Sequence, residues 1–146
     1  MVAGHPRSQD KGGMTIMADP LEYIAPPDSF KGNVPISLAV KVGKQIFVSG
    51  VPGYDRHGKL AVGDFSAQMK QTMDNITAIL KATGTGWDRV ARTRVFLTRA
   101  KDFDDMNLIY VTYFPHGKFP ARTTMYVHAL PKPEFLLEIE CEAVLE

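Results

Sequence analysis

Cysteine is nearly absent: Cys141 is the only one among 146 residues. One thiol makes no intrachain disulfide and no zinc site built on several cysteines. A surplus of one charge is absent too, since 17 Lys and Arg stand against 16 Asp and Glu. That balance argues against a dedicated nucleic-acid binder, which carries a basic excess. No apolar run approaches 18 residues, so no transmembrane helix and no membrane partner are expected. With 12 Gly and 10 Pro, the chain is not of low complexity. Phosphate-binding patterns are missing: there is no Walker A sequence, and Gly84-Thr85-Gly86 lacks the third glycine of a dinucleotide fingerprint. Ser49 lies in no GxSxG elbow. His5, His57, His116 and His128 are scattered, without ligand spacing, so no metal site and no cofactor are expected.

What remains is an ordinary globular composition, 45% hydrophobic and 23% charged. At this length one core is feasible, with roughly 70% of the unfolded surface buried. Residues 1–20 have no apolar periodicity and are read as a disordered arm, and 21–146 as one domain. No signal-peptide apolar core is present, and a cytoplasmic protein is expected.

Leu38–Val42 and Gln45–Ser49 flank Gly43-Lys44 and predict two strands joined by a tight turn. Asp55-Arg56-His57-Gly58 predicts a further turn. From Asp64, Phe65, Met69, Met73, Ile76 and Leu80 recur at helical spacing. Asp64 is the expected N-cap and Gly84 the expected stop. Gln68, Lys70, Gln71 and Asp74 should face water. Val90–Leu97 predicts a strand with Ala91, Thr93, Val95 and Leu97 on one face and Val90, Arg92, Arg94 and Phe96 on the other. A second helix is expected from Asp102, its N-cap, with Phe103, Met106, Tyr110 and Tyr113 inward. Two strands follow, Arg122–Ala129 and Phe135–Leu145, around a loop stiffened by Pro131 and Pro133. The last one alternates apolar residues with Glu138, Glu140 and Glu142.

The predicted order is β-β-α-β-α-β-β, with an extra short strand near Leu60. This is an α+β fold with two helices over one face of a mixed sheet. The opposite face would carry Arg122, Thr124, Tyr126, His128 and the three glutamates, mixed with apolar residues. Such a face is expected to meet another subunit. The basic cluster Arg89, Arg92, Arg94, Arg99 and Lys101 is read as a solvated face balanced by Asp88, Asp102, Asp104 and Asp105.

An ordered set of motifs then stands out. It comprises Val48-Ser49-Gly50, Gln68, Asn75-Ile76 with Ile79-Leu80, Asp102-Phe103 with Asn107 and Tyr110, Pro120-Ala121-Arg122-Thr123, Leu130-Pro131 and Glu138-Ile139-Glu140. From about Pro35 onward the chain resembles the RidA (YjgF/YER057c/UK114) family of enamine/imine deaminases. The resemblance implies a chorismate-mutase-like fold, a homotrimer and cofactor-free hydrolysis of 2-imino or 2-enamino acids to 2-keto acids and ammonia.

On that reading Arg122 holds a substrate carboxylate through its planar fork of donors, and Glu138 transfers protons. Ser49, Gly50 and Asn107 are candidate polar contacts. Ile36 stands where many members have a tyrosine, Thr124 where a cysteine is common and Val51 where glutamine is common, all of which imply a pocket of altered polarity. Arg122-Thr123-Thr124, Val127-His128 and Leu130-Pro131 are also similar to the 2-aminomuconate deaminase branch, for which Arg94 or His128 would be a second cation. A non-catalytic carboxylate binder and an RNA-acting member remain alternatives.

If the last two strands pair as a hairpin centred on Lys132, Arg122 faces Glu142 and Glu138 faces Tyr126. The two candidates are then about 13 Å apart along the hairpin. A short substrate cannot bridge that distance. Either the strands are not hairpin neighbours, or one site draws its residues from two subunits.

Overall fold

A computed structural model describes residues 20–146, so the arm expected at the N-terminus lies, apart from Pro20, outside the described residues. Six strands form one mixed sheet: β1 (Glu22–Ile24), β2 (Ala39–Val42), β3 (Gln45–Val51), β4 (Val90–Leu97), β5 (Ala121–Tyr126) and β6 (Leu137–Val144). Their spatial order is β1-β2-β3-β6-β4-β5. Helices α1 (Phe65–Thr83) and α2 (Phe103–Tyr110) link β3 to β4 and β4 to β5. Only β4 and β5 are hydrogen-bonded in parallel.

The first hairpin forms as its sequence predicts, with Gly43 at φ 58° in the turn between β2 and β3. Strand β1 pairs with β2 and was not foreseen. The strand expected near Leu60 is a single bridge between Tyr54 and Leu60. Its turn closes where Gly58, at φ 76°, donates to the Asp55 carbonyl at 3.0 Å.

Helix α1 begins where Asp64 accepts from the Ala67 amide at 3.0 Å and ends at left-handed Gly84. Its inward stripe is the expected one. Gln68 departs from expectation: it is fully buried. Its amide donates to the carbonyls of Ala61 (3.0 Å) and Glu134 (3.1 Å), and its oxygen accepts from the Leu136 amide (3.0 Å). A side chain with all these partners occupies the core without leaving a polar group unpaired.

Asp102 is not the expected side-chain cap of α2. It has helical dihedrals at the end of a short 3₁₀ turn, and its buried carboxylate holds Arg99 at 2.6 and 2.9 Å. In β4 an irregularity between Val90 and Arg92 turns Val90 into the core and leaves Ala91 exposed, reversing both assignments.

For the last two strands the structure selects an alternative left open above. They do not pair. Residues 127–136 carry the chain back across the end of β4, where Val127 donates to Leu97 (2.9 Å) and Thr98 accepts the return by donating to Leu136 (3.2 Å). Strand β6 then enters between β3 and β4. Its alternation is as expected: Leu137, Ile139, Cys141 and Ala143 are buried, and the glutamates face the side without helices. There Arg94 donates to Glu140 (3.3 Å) and Glu142 (3.0 Å).

Candidate functional site

Strand β3 contains an extra residue where it meets β6: Val48 faces Cys141 and Val51 faces Ile139. The irregularity falls on Ser49-Gly50. Ser49 turns its hydroxyl to the Ser37 carbonyl at 2.6 Å, and its amide donates to Leu38 at 3.0 Å. Gly50 leaves room for Glu138, since a Cβ here would stand 2.9 Å from the Glu138 Oε2. A bulge with a glycine thus re-aims one strand so that a carboxyl group can lie against its backbone.

That carboxyl group opens on a cavity of about 930 Å³. Segment 26–36, the end of β3, loop 52–56, the middle of α1 and the approach to β6 bound it. Ile36, Ser49, Gly50 and Glu138 all line it. Burial pushes the Glu138 carboxyl above its ordinary range, and the neighbouring Glu140 charge adds to the rise. Helix α1 holds the surrounding loops. Asn75 donates to the carbonyls of Pro52 (3.3 Å) and Tyr54 (2.7 Å) and accepts from Gln71 (2.8 Å), while Gln68 holds Glu134 and Leu136.

Arg122, Thr124 and Asn107 do not line this cavity. Arg122 is paired with Thr93 and Thr124 with Val95, and both partners point into the helix-covered core. Side chains of register partners share a face. Arg122 therefore lies on the helix side, at the sheet's edge strand, and not beside the glutamates as its sequence position had implied. Its guanidinium donates to the Met106 sulfur at 3.6 Å and sits 4.9 Å from the centre of the Tyr110 ring. Tyr110 is in turn bonded to Thr93 at 2.8 Å. Met106 and Tyr110, expected as core residues, are buried and also serve as the seat of Arg122. Among the described residues no carboxylate pairs with Arg122. Asn107 is half-buried on α2.

Counting along β4, Arg122 and Glu138 are two strands and three residues apart, about 14 Å between backbones. They also project from opposite faces. Neither proposed second cation reaches the cavity: Arg94 is engaged with Glu140 and Glu142, and His128 is exposed elsewhere. The apolar wall of Phe30, Tyr54 and Phe135 was missed, because no local periodicity links residues so far apart in sequence.

A six-stranded mixed sheet backed by two helices, with a bulged strand set against a carboxyl group, defines the class. The family model described as Endoribonuclease L-PSP matches residues 28–145, and the chain belongs to this family, the YjgF/RidA family. The 2-iminobutanoate/2-iminopropanoate deaminase of Mus musculus is 41% identical over 111 residues, covering 75% of this chain and 81% of the mouse protein. The RutC family protein PH0854 of Pyrococcus horikoshii is 39% identical over 113 residues, 77% of this chain and 88% of that one. Among solved structures, the Rid family protein YyfA of Yersinia pestis superposes with a TM-score of 0.82 at 32% identity, covering 86% of this chain and 100% of that one. The YjgF gene product of E. coli gives 0.80 at 31%, covering 86% and 99%.

Proposed function

We propose that this protein hydrolyses 2-imino and 2-enamino acids to 2-keto acids and ammonium, at sites completed between subunits of a homotrimer. The observation that carries the reading is the half-buried Glu138 carboxyl, raised by burial and facing a cavity. The names of the mammalian relatives support the substrate class.

The chemistry needs one proton donor and acceptor and one anchor. As a carboxylic acid, Glu138 delivers a proton to the enamine carbon and yields the imine. As a carboxylate, it takes a proton from water as the oxygen bonds to the imine carbon. It returns that proton to nitrogen; as the C–N bond breaks, the hydroxyl proton passes to the departing ammonia, releasing the keto acid and ammonium. A pKa raised toward neutrality suits both roles. The substrate carboxylate needs a bidentate cation. Arg122 has no carboxylate of its own among the described residues and lies too far from Glu138 in one chain, so Arg122 of the partner subunit supplies the anchor in this reading. The cytoplasm, where amino acids are dehydrated and oxidised, is the fitting compartment.

The ribonuclease description of the family finds less support here. Of the basic cluster, Arg94 and Arg99 are bound to carboxylates, and Arg89 donates to the Leu145 carbonyl at 3.1 Å. These side chains are engaged within the fold and are poorly available to phosphate.

The test is an imine assay. Threonine dehydratase generates the imine, semicarbazide traps what is not hydrolysed, and keto-acid release is followed. Acceleration by wild type and much weaker acceleration by Arg122→Ala is the expected result. No acceleration by wild type with any imine overturns the reading.

A further inference from the structure

We infer that the cavity beside Glu138 selects imino acids with a large apolar side chain, aromatic ones above all. The inference rests on the deaminase reading for the chemistry and goes beyond it in the choice of substrate.

In a single chain, before a partner subunit covers it, the cavity of about 930 Å³ is far larger than a three-carbon imino acid requires. Volumes of about 300–1,000 Å³ accommodate ligands of drug size. Part of its lining is a chain of three rings in edge-to-face contact: Phe30 to Tyr54 at 5.0 Å and Tyr54 to Phe135 at 5.2 Å. Edge-to-face rings offer a further ring a ready place to pack. The wall is held in place. Phe30 lies over Gly58, where a Cβ would come within 2.6 Å of its ring. Tyr54 is fixed through its carbonyl by Asn75, and Phe135 is buried in the approach to β6, three residues before Glu138. Ile36 adds hydrocarbon on the same cavity.

The cations at the rim do not make this a second carboxylate site. Lys31 donates to the Val34 carbonyl at 3.3 Å, Arg56 to His57 at 3.2 Å, and Lys132 is exposed to water. Glu138, Ser49 and Gly50 and the three rings thus line one and the same cavity. A substrate with its reacting carbon near Glu138 directs its side chain toward the rings. Each methylene buried there is worth about fourfold in affinity.

The experiment compares imines made by an L-amino-acid oxidase from Phe, Leu and Ala, with semicarbazide as the competing trap. Wild type should favour the Phe-derived imine over the Ala-derived one by at least about tenfold in kcat/KM, within the range hydrophobic pockets achieve. Phe30→Ala, at a residue 40% exposed and so safe for folding, should bring that ratio down toward one. Equal turnover, preference for the Ala-derived imine, or faster hydrolysis of 2-aminomuconate than of any of these overturns the inference while leaving the deaminase reading in place. Calorimetry with phenylpyruvate and pyruvate separates the two claims from the other side. Tight phenylpyruvate binding, weakened by Phe30→Ala, upholds the side-chain preference even if no imine is turned over. Equal binding with no turnover removes both.

Discussion

Glu138 and Arg122 occupy opposite kinds of surroundings. Glu138 lies on the central strand β6, against a glycine bulge, facing a cavity closed by loops that α1 pins. These neighbours all belong to its own chain. Arg122 lies on the edge strand β5, with its guanidinium on the Tyr110 ring and, among the described residues, no carboxylate for company. The first place disfavours charge and the second presents it. A buried acid next to an unpaired cation would form an ion pair and lose the raised pKa that proton transfer needs. The two lie about 14 Å apart in one chain, which preserves both properties; in the proposed reading a substrate held between two subunits meets both.

Breaking each half should therefore give different kinetics. Glu138→Gln removes proton transfer and should lower kcat by about 10²–10⁴-fold, while binding of a 2-keto acid survives. Unchanged kcat would remove Glu138 from the mechanism. Arg122→Ala deletes charge-assisted hydrogen bonds worth about 1.5–3 kcal/mol, so binding and kcat/KM should weaken roughly 10- to 150-fold. The comparison sharpens when the two inactive variants are refolded together. If sites lie between subunits, roughly a quarter of those in random mixed trimers contain both native residues, and activity returns. Mixtures as inactive as their parents would put each site inside one subunit.

Much of this contrast was legible from the residues alone. The period-two alternation of β6 and the stripe of α1 marked the core, because burial on one face imposes those periods. The ordered motifs brought Arg122 and Glu138 forward together. Strand order was not legible. Consecutive strands are usually neighbours, and nothing local in residues 127–136 reveals that the chain crosses β4 and inserts β6 between two earlier strands. The face of Arg122 was lost with that register. Gln68 was misread for a related reason: helical spacing puts a polar residue outside unless distant carbonyls at Ala61 and Glu134 await it.

Smaller effects probe the supports of the Glu138 half. Gly50→Ala places a methyl 2.9 Å from the carboxylate oxygen. The side chain must move, so activity should fall with little change in melting temperature; retained activity would show that the carboxyl's place beside Gly50 is unimportant. Gln68→Ala removes three buried hydrogen bonds and should cost about 2–4 kcal/mol in urea unfolding. A loss below that range would mean that water replaces the side chain.

The finest distinction is in pH. Burial raises the Glu138 carboxyl above its unfolded value. The fold therefore holds that proton more tightly than the unfolded chain does. Stability from this group is complete below the unfolded pKa and is lost as pH rises through the folded one. Glutamine mimics the protonated form at every pH. Glu138→Gln should accordingly melt higher than wild type at neutral pH, and the gap should close on acidification. Arg122→Gln, which leaves the Glu138 carboxyl in place, should show no such pH-dependent gap over the same range. Equal melting of Glu138→Gln and wild type at neutral pH would mean that the carboxylate is well solvated, and the contrast between the two halves of the site would then lose its electrostatic basis.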